Sequence, residues 1–294
     1  MKYQVTHITD YIYQSPSSLC HNIMVQTPKN LPFQLVEKHE QTIDPEPEYL
    51  NRSQDFFENE TVHFSIERTH SKLTATSKSW VSLSSPAWMA VDPGQTQPWE
   101  AVRDWLRTTE AMNDTRQFYL QSKHVEFADG VQEYALQSFT PGRPIMEAML
   151  DLNTRINGDF TFTPGFTDLS TPVSEVFANK KGVCQDYAHF SLACLRSIGL
   201  AARYVSGYLE TIPPPGKPKM VGADASHAWI SLFIPDHDWV EFDATNNLLV
   251  DDKHIRVAIG LDFADVTPLK GIIYSAGSHS MEVSVDVRRE EEAN

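Results

Sequence analysis

The chain reads as an α+β protein, an N-terminal antiparallel β domain packed on a core of mixed helices and strands. Three observations predict this. Apolar and polar residues alternate with period two through the N-terminal third. A Pro- and Gly-bearing stretch, Asp92-Pro93-Gly94-Gln95-Thr96-Gln97-Pro98, ends that pattern. Beyond it apolar residues recur at helical spacing, and strand-like segments resume only after residue 200.

In the first region Tyr3, Val5 and His7 alternate with polar neighbours, as do Tyr11 and Tyr13. Val62, Phe64 and Ile66 repeat the pattern, and so does Trp80-Val81-Ser82-Leu83. Pro28, Pro32, Pro45 and Pro47 separate the runs. This places a β domain at 1–92 and an α+β domain at 99–294. Helical spacing follows over 99–107, 131–138 and 145–156, and Thr171-Pro172 opens another helix that runs to Asn179. From Cys184, the residues Ala188, Ser191, Leu192 and Leu195 give one packing face, and Gly199 is a helix stop. Residues 201–209 read as a strand. Pro213, Pro214, Pro215, Gly216 and Pro218 then exclude a central strand or helix over 212–219, a loop that either borders a cleft or simply connects. Two apolar runs flank Pro235-Asp236-His237-Asp238, which is a hairpin signal. The last strands, 271–274 and 281–287, complete the core sheet or return to the β domain; the pattern leaves both open.

The chemistry concentrates at Lys181-Gly182-Val183-Cys184. A thiol that opens a helix meets unpaired backbone N–H groups and the positive end of the macrodipole, which favour the thiolate. Gly182 is read as supplying a conformation that a β-carbon penalises. Cys194, ten residues on, falls off the Cys184 face and reads as a core residue. Downstream stand Ser226-His227-Ala228-Trp229 and Phe242-Asp243-Ala244-Thr245. A hairpin turn centred at residue 235 sets His227 across the ladder from Asp243; a turn centred one residue later makes them diagonal neighbours. Either way an aspartate can hold one ring nitrogen while the other faces the cysteine, as acyl transfer requires. Singly, a histidine before a strand and an aspartate before Ala-Thr-Asn are ordinary turn residues; jointly, behind Cys184, they read as a triad.

These three pieces, in this order, resemble the transglutaminase-like superfamily of thiol acyl-transfer enzymes, most closely the bacterial members with an added N-terminal β domain. The resemblance is strongest over about 150–250 and extends more weakly to the N-terminal tyrosines and to Asp262-Phe263-Ala264-Asp265-Val266. It implies a papain/transglutaminase-like α+β core and catalytic roles for Cys184, His227 and Asp243. Many members carry Asp-Pro-Thr at Asp243-Ala244-Thr245, glycine at Asp238, arginine at Lys181 and tyrosine at Phe162. An oxyanion donor is expected in the backbone N–H of Cys184.

Composition bounds the partners. A net charge of −15 disfavours nucleic acid and anionic membranes, and no run approaches the ~20 apolar residues that span a bilayer. Met1-Lys2-Tyr3-Gln4-Val5-Thr6-His7 shows no apolar signal region. Three scattered cysteines point to a reducing, cytoplasmic setting rather than a disulfide scaffold. The sequence thus predicts a cysteine protease or amidase, or a protein-glutamine transamidase, acting on a peptide or protein substrate without cofactor or metal. Hydrolysis needs only water, whereas transamidation needs an amine site, and none is visible. One alternative is a catalytically silent peptide-binding module of the same fold. Another is a metal-dependent hydrolase, since the chain has eleven histidines, but their spacing shows no His-Glu-x-x-His pattern and no Cys/His cluster. Oligomeric state is not encoded in any motif.

Overall fold

The structure, a computed structural model, describes residues 1–108, 113–210 and 226–290. Six strands come first: β1 (Lys2–Ser17), β2 (Leu19–Met24), β3 (Gln34–Asp44), β4 (Tyr49–Gln54), β5 (Glu60–Ile66) and β6 (His70–Leu83). The period-two alternation is the cause of their packing: Tyr3, Val5, His7 and Thr9 all point inward along β1. Helices follow as α1 (Trp99–Leu106), α2 (Asn113–Arg116), α3 (Val131–Leu136) and α4 (Ile145–Asp159). In α4 the residues Ile145, Met149, Leu152 and Ile156 share one stripe and are fully buried. Short β7 (Thr161–Phe162) pairs in parallel with β8 (Lys181–Gly182) across α5 (Val173–Asn179). Then come α6 (Cys184–Ser197), β9 (Ala202–Leu209), β10 (Ser226–Ile234), β11 (Asp238–Asp243), β12 (Leu248–Leu249), β13 (His254–Gly260) and α7 (Phe263–Val266). The chain closes with β14 (Leu269–Tyr274) and β15 (His279–Arg289).

Three sheets carry the architecture. The core sheet is antiparallel with order β12-β11-β10-β9-β13, and α6 packs on β9 and β10. The other two have orders β15-β1-β6-β3 and β14-β2-β5-β4, so the last strands pair with the first ones and not with the core sheet. Between these two sheets Tyr13, Cys20, Met24, Val62, Phe64, Ile66 and Leu73 form an apolar cluster. Each such burial is worth roughly 1.5–3 kcal/mol. Tyr3, Val5, Val81 and Leu83 instead join the larger core built on α1, α4 and α6. The apolar interior is therefore continuous from the N-terminal strands into the core. The Pro-rich loop at 212–219 and the acidic tail beyond 290 lie outside the described residues.

Two amide side chains bind the regions together. Strand β13 is an edge of the core sheet, and an edge leaves backbone donors and acceptors unpaired. Gln34 Nε2 donates to Arg256 O at 2.7 Å, and Arg256 N donates back to Gln34 Oε1 at 2.8 Å. Asn59 does the same at Ile259, with Nδ2 to O at 2.7 Å and N to Oδ1 at 2.9 Å. Both side chains are buried, and together they stand in for a sixth strand. Gln34→Ala or Asn59→Ala strands two buried backbone groups each, and each loss should cost about 1–3 kcal/mol. Urea unfolding of the full chain measures this; a loss under half a kcal/mol, within the range of ordinary surface substitutions, excludes the strand-like role.

Candidate active site

The site begins at the start of α6. Val183 precedes the helix, and its N–H donates to the carboxylate of Asp186 at 2.7 Å, one half of a capping box. Thr167 donates its hydroxyl to the same oxygen at 2.7 Å. Burial pushes the Asp186 carboxyl up, and these two bonds oppose it. Gly182 is needed here for space and not for an unusual φ: a β-carbon there would stand 2.5 Å from Asp186 Oδ2. That corrects the expectation from sequence, because the crowding comes from a side chain one helical turn ahead. Cys184 is the first helical residue and is half-buried, whereas Cys20 and Cys194 are fully buried. Among the described residues its backbone N–H has no backbone acceptor, so it is an open donor beside Sγ. The pairing of Phe162 with Gly182 brings an exposed phenyl ring beside this turn, with no hydroxyl.

The hairpin supplies the next two groups. Its register pairs Ile230 with Phe242 and Ile234 with Asp238, which centres the turn on residue 236. Of the two arrangements open from sequence, the structure has the diagonal one. Asp236 and Asp238 take φ of 69° and 60°, so the position where relatives carry glycine keeps a left-handed backbone, which aspartate tolerates. His227 Nε2 lies 2.7 Å from Asp243 Oδ2. That leaves Nδ1 free of Asp243, and Cys184 at the start of α6 lies close enough to favour the charge on the ring. Burial alone would lower the pKa of His227, but the hydrogen bonds to Asp243 and Cys184 outweigh it and raise it to about 10. So the structure brings together all three residues that the sequence singled out.

Asp243 is fully buried, and its oxygens divide the work. Oδ1 accepts the Asn246 backbone N–H at 3.2 Å, which is the turn chemistry expected of Asp-Ala-Thr-Asn. Oδ2 faces His227, the Asn246 side-chain amide at 2.7 Å and His254 Nε2 at 3.1 Å. Burial raises the pKa of such a carboxyl, yet the two histidines hold it far below the ordinary carboxylate range. His254, fully buried, is opposed by its own desolvation, and the bond to Asp243, with the Asp251 carboxylate 3.5 Å from Nδ1, nonetheless raises its pKa. Sequence reasoning missed His254 and Asn246. Asn246 stands three residues beyond Asp243, the reach of an Asx turn, and that spacing was a readable signal. His254 had none, since β13 reaches the site only through pairing with β9.

A buried polar row continues away from the triad. Trp229 packs edge-on against His254 with centroids 5.2 Å apart and donates Nε1 to Glu241 at 2.8 Å. Glu241 in turn pairs with Arg256. Gly207, opposite His227, has no room for a β-carbon, which would meet Ile255 O at 2.1 Å and the Trp229 ring at 2.5 Å. His227, Asp243 and His254 are, among the described residues, one group whose ligand-type atoms lie close enough to share an ion. In the structure those atoms are hydrogen-bonded to one another, which satisfies the buried charge without a metal.

The chain matches two family descriptions: the bacterial transglutaminase-like N-terminal region over residues 3–82, and the transglutaminase-like superfamily over residues 133–244. It is 43% identical over 292 residues to an uncharacterized protein of Mycobacterium tuberculosis, covering 97% of this chain and 92% of that one. An uncharacterized protein of Mycobacterium leprae is 29% identical over 294 residues, covering 97% and 98%. A crystal structure of a candidate cysteine protease from Cytophaga hutchinsonii superimposes with a TM-score of 0.75 at 19% identity, covering 100% of this chain and 92% of that one.

The raised pKa of His227 carries a pH signature. Its folded value lies above the ordinary 6.5, so its proton favours the folded state. That stabilisation is complete below pH 6.5 and is lost as pH rises through about 10. The stability advantage of wild type over His227→Gln should therefore shrink across that window. In Asp243→Asn the imidazole should titrate at lower pH, because desolvation is less opposed. Histidine NMR titration checks both; a resonance of His227 titrating near 6.5 in both proteins contradicts the buried ion pair.

Proposed function

The chain belongs to the transglutaminase-like superfamily, and from that premise we propose that it is a thiol-dependent acyl-transfer enzyme acting on amide or peptide bonds. The observation that carries this reading is the single imidazole bonded to Asp243 through Nε2, with the thiol of Cys184 near enough to favour its charge. Cys184 Sγ attacks the substrate carbonyl carbon. The negative charge that develops on the carbonyl oxygen is received by the open N–H of Cys184 at the helix start. His227 gives its proton to the leaving amine as the C–N bond breaks, and a thioester remains. His227 then takes a proton from water, whose oxygen attacks the thioester, releasing the carboxylic acid and restoring the thiol. Asp243 fixes the ring so that Nδ1 faces sulfur in both halves.

Water is the simpler acceptor, and we favour hydrolysis, as in a cysteine protease or amidase. An amine acceptor uses the same thioester, so protein-glutamine transamidation rests on the same residues. The substrate class is a peptide or protein, since the reacting groups are those of amide chemistry. The three thiols form no disulfide among the described residues, which suits the reducing cytoplasm. No helix is long and apolar enough to cross a membrane.

Substitution tests the roles separately. Cys184→Ala and His227→Ala should abolish turnover of a peptide library read by mass spectrometry, while circular dichroism stays that of wild type. Asp243→Asn should lose on the order of 10³- to 10⁴-fold, and the His227 and Asp243 losses should be far from multiplicative. Iodoacetamide should label Cys184 first, because Cys20 and Cys194 are 0% exposed and burial raises their pKa values. Turnover that survives Cys184→Ala excludes the thioester route.

A further inference from the structure

At the opposite end of the core sheet from the triad lies a cavity of about 810 Å³. It opens between the loops of the N-terminal region, which contribute Lys29, Phe33, Glu58 and Trp88, and the core, which contributes Arg203, Phe118, Phe233, Trp239 and Arg256. None of Cys184, His227 and Asp243 lines it. Its volume is that of a small-molecule site. Phe33, Phe57, Trp88, Phe118, Phe233 and Trp239 give it a broad aromatic surface, and aromatic walls alone would make it an apolar pocket.

Three cations reach it, and two are already paired. Lys29 Nζ lies 3.4 Å from Glu58, and Arg256 pairs with Glu241. Arg203 is different. It is 9% exposed, and among the described residues it has no hydrogen-bond or ion-pair partner; its Nε is buried with none. Asp238 and Glu241 are the nearest carboxylates and favour its charge only at longer range, while Arg256 opposes it. Burial lowers its pKa to about 9, so it remains a guanidinium at neutral pH. Its flat face stacks on Trp239, with the carbon centre 4.1 Å from the ring centroid. Guanidinium donors lie in the plane of the group, so stacking occupies the face and leaves the fork of N–H donors free. A buried cation with unused donors is costly to hold unless something accepts from it.

We propose that this cavity is a binding site for a small aromatic monocarboxylate, its carboxylate on the fork of Arg203 and its ring among Phe33, Trp88, Phe118 and Trp239. The unpaired guanidinium selects a single anionic group: Lys29 and Arg256 already hold Glu58 and Glu241, and Asp238, the other carboxylate on the wall, makes no ion pair with Arg203 among the described residues. The planar fork selects a carboxylate, which it meets with two parallel bonds. The rings select an aromatic body.

The test uses the full-length chain, with 2-naphthoate as the probe and neutral 2-naphthamide as its control, read by calorimetry and by quenching of tryptophan fluorescence. Naphthoate should bind more tightly than naphthamide by about tenfold or more. Arg203→Met keeps the length and removes the charge, so it should erase that difference while the unfolding temperature holds or rises. Cys184→Ala should bind naphthoate as wild type does, which separates this site from the triad. Should Arg203→Met fail to fold, Ala87→Trp at the exposed rim decides, since it narrows the mouth and should weaken both probes. Equal affinity of the two probes overturns the proposal. So does naphthoate affinity unchanged in Arg203→Met or Ala87→Trp, or lost in Cys184→Ala.

Discussion

The site depends on one buried carboxylate oxygen. Asp243 Oδ2 is out of reach of water and is faced by His227, His254 and the Asn246 amide at once. A carboxylate in that position survives as an anion only because its surroundings supply positive charge and donors. Each supplier comes from a different element: β10 gives His227, the turn after β11 gives Asn246, and β13 gives His254. The order of the core sheet follows from the same demand, since β13 must lie beside β9 for His254 to reach a group on β11. The backbone of Asp243 is held too, because Asn153 on α4 donates to its carbonyl at 3.2 Å. A displacement of any of these elements leaves a charge unmatched in the interior.

The three side chains of the candidate site were legible because their positions follow from local rules. A cysteine after Gly-Val at a helix start, and a histidine and aspartate on the two arms of a short hairpin, need only turn chemistry and strand pairing to be placed. The reading of Asp243 as a turn residue holds beside its bond to His227, because its two oxygens divide between the two. His254 was not legible. Nothing within a few residues of it marks a function, and its partner Asp243 is fixed only when β13 crosses to the far side of β9. The bonds of Gln34 and Asn59 to β13 are hidden for the same reason, being contacts across about 200 residues or more of chain. The reason for Gly182 was misread because backbone conformation is inferable from a glycine alone, whereas crowding by Asp186 is not. The final strands left a choice in sequence since alternation tells which face is buried but not which sheet receives it.

Register turns the core sheet into a single electrostatic surface. Ser231 lies opposite Arg203 and Glu241, Phe233 opposite Trp239, and His227 opposite Gly207, so these residues share one face with Trp229 and Asp243 by alternation. Arg256, opposite Gly207, and His254, opposite Leu209, extend it onto β13. Along this face positive and negative groups alternate through buried contacts: His227 with Asp243, Asp243 with His254, and Glu241 with Arg256. Trp229 joins the two halves, its ring against His254 and its Nε1 on Glu241.

The face carries more cations than its own carboxylates can match. His227, Arg256 and Arg203 stand against Asp243 and Glu241, and Asp243 draws His254 toward its charged form as well. At the triad end the surplus is met from outside the face, with Asp251 3.5 Å from His254 and the sulfur of Cys184 at His227. At the other end, among the described residues, Arg203 has the face of Trp239 and no hydrogen-bond or ion-pair partner. Cation–π attraction offsets part of the desolvation of a guanidinium but accepts none of its protons. The two ends of the sheet thus pose the same physical problem, a buried cation in need of an anion. At one end Asp243 answers His227 directly; at the other, among the described residues, no carboxylate bonds to Arg203.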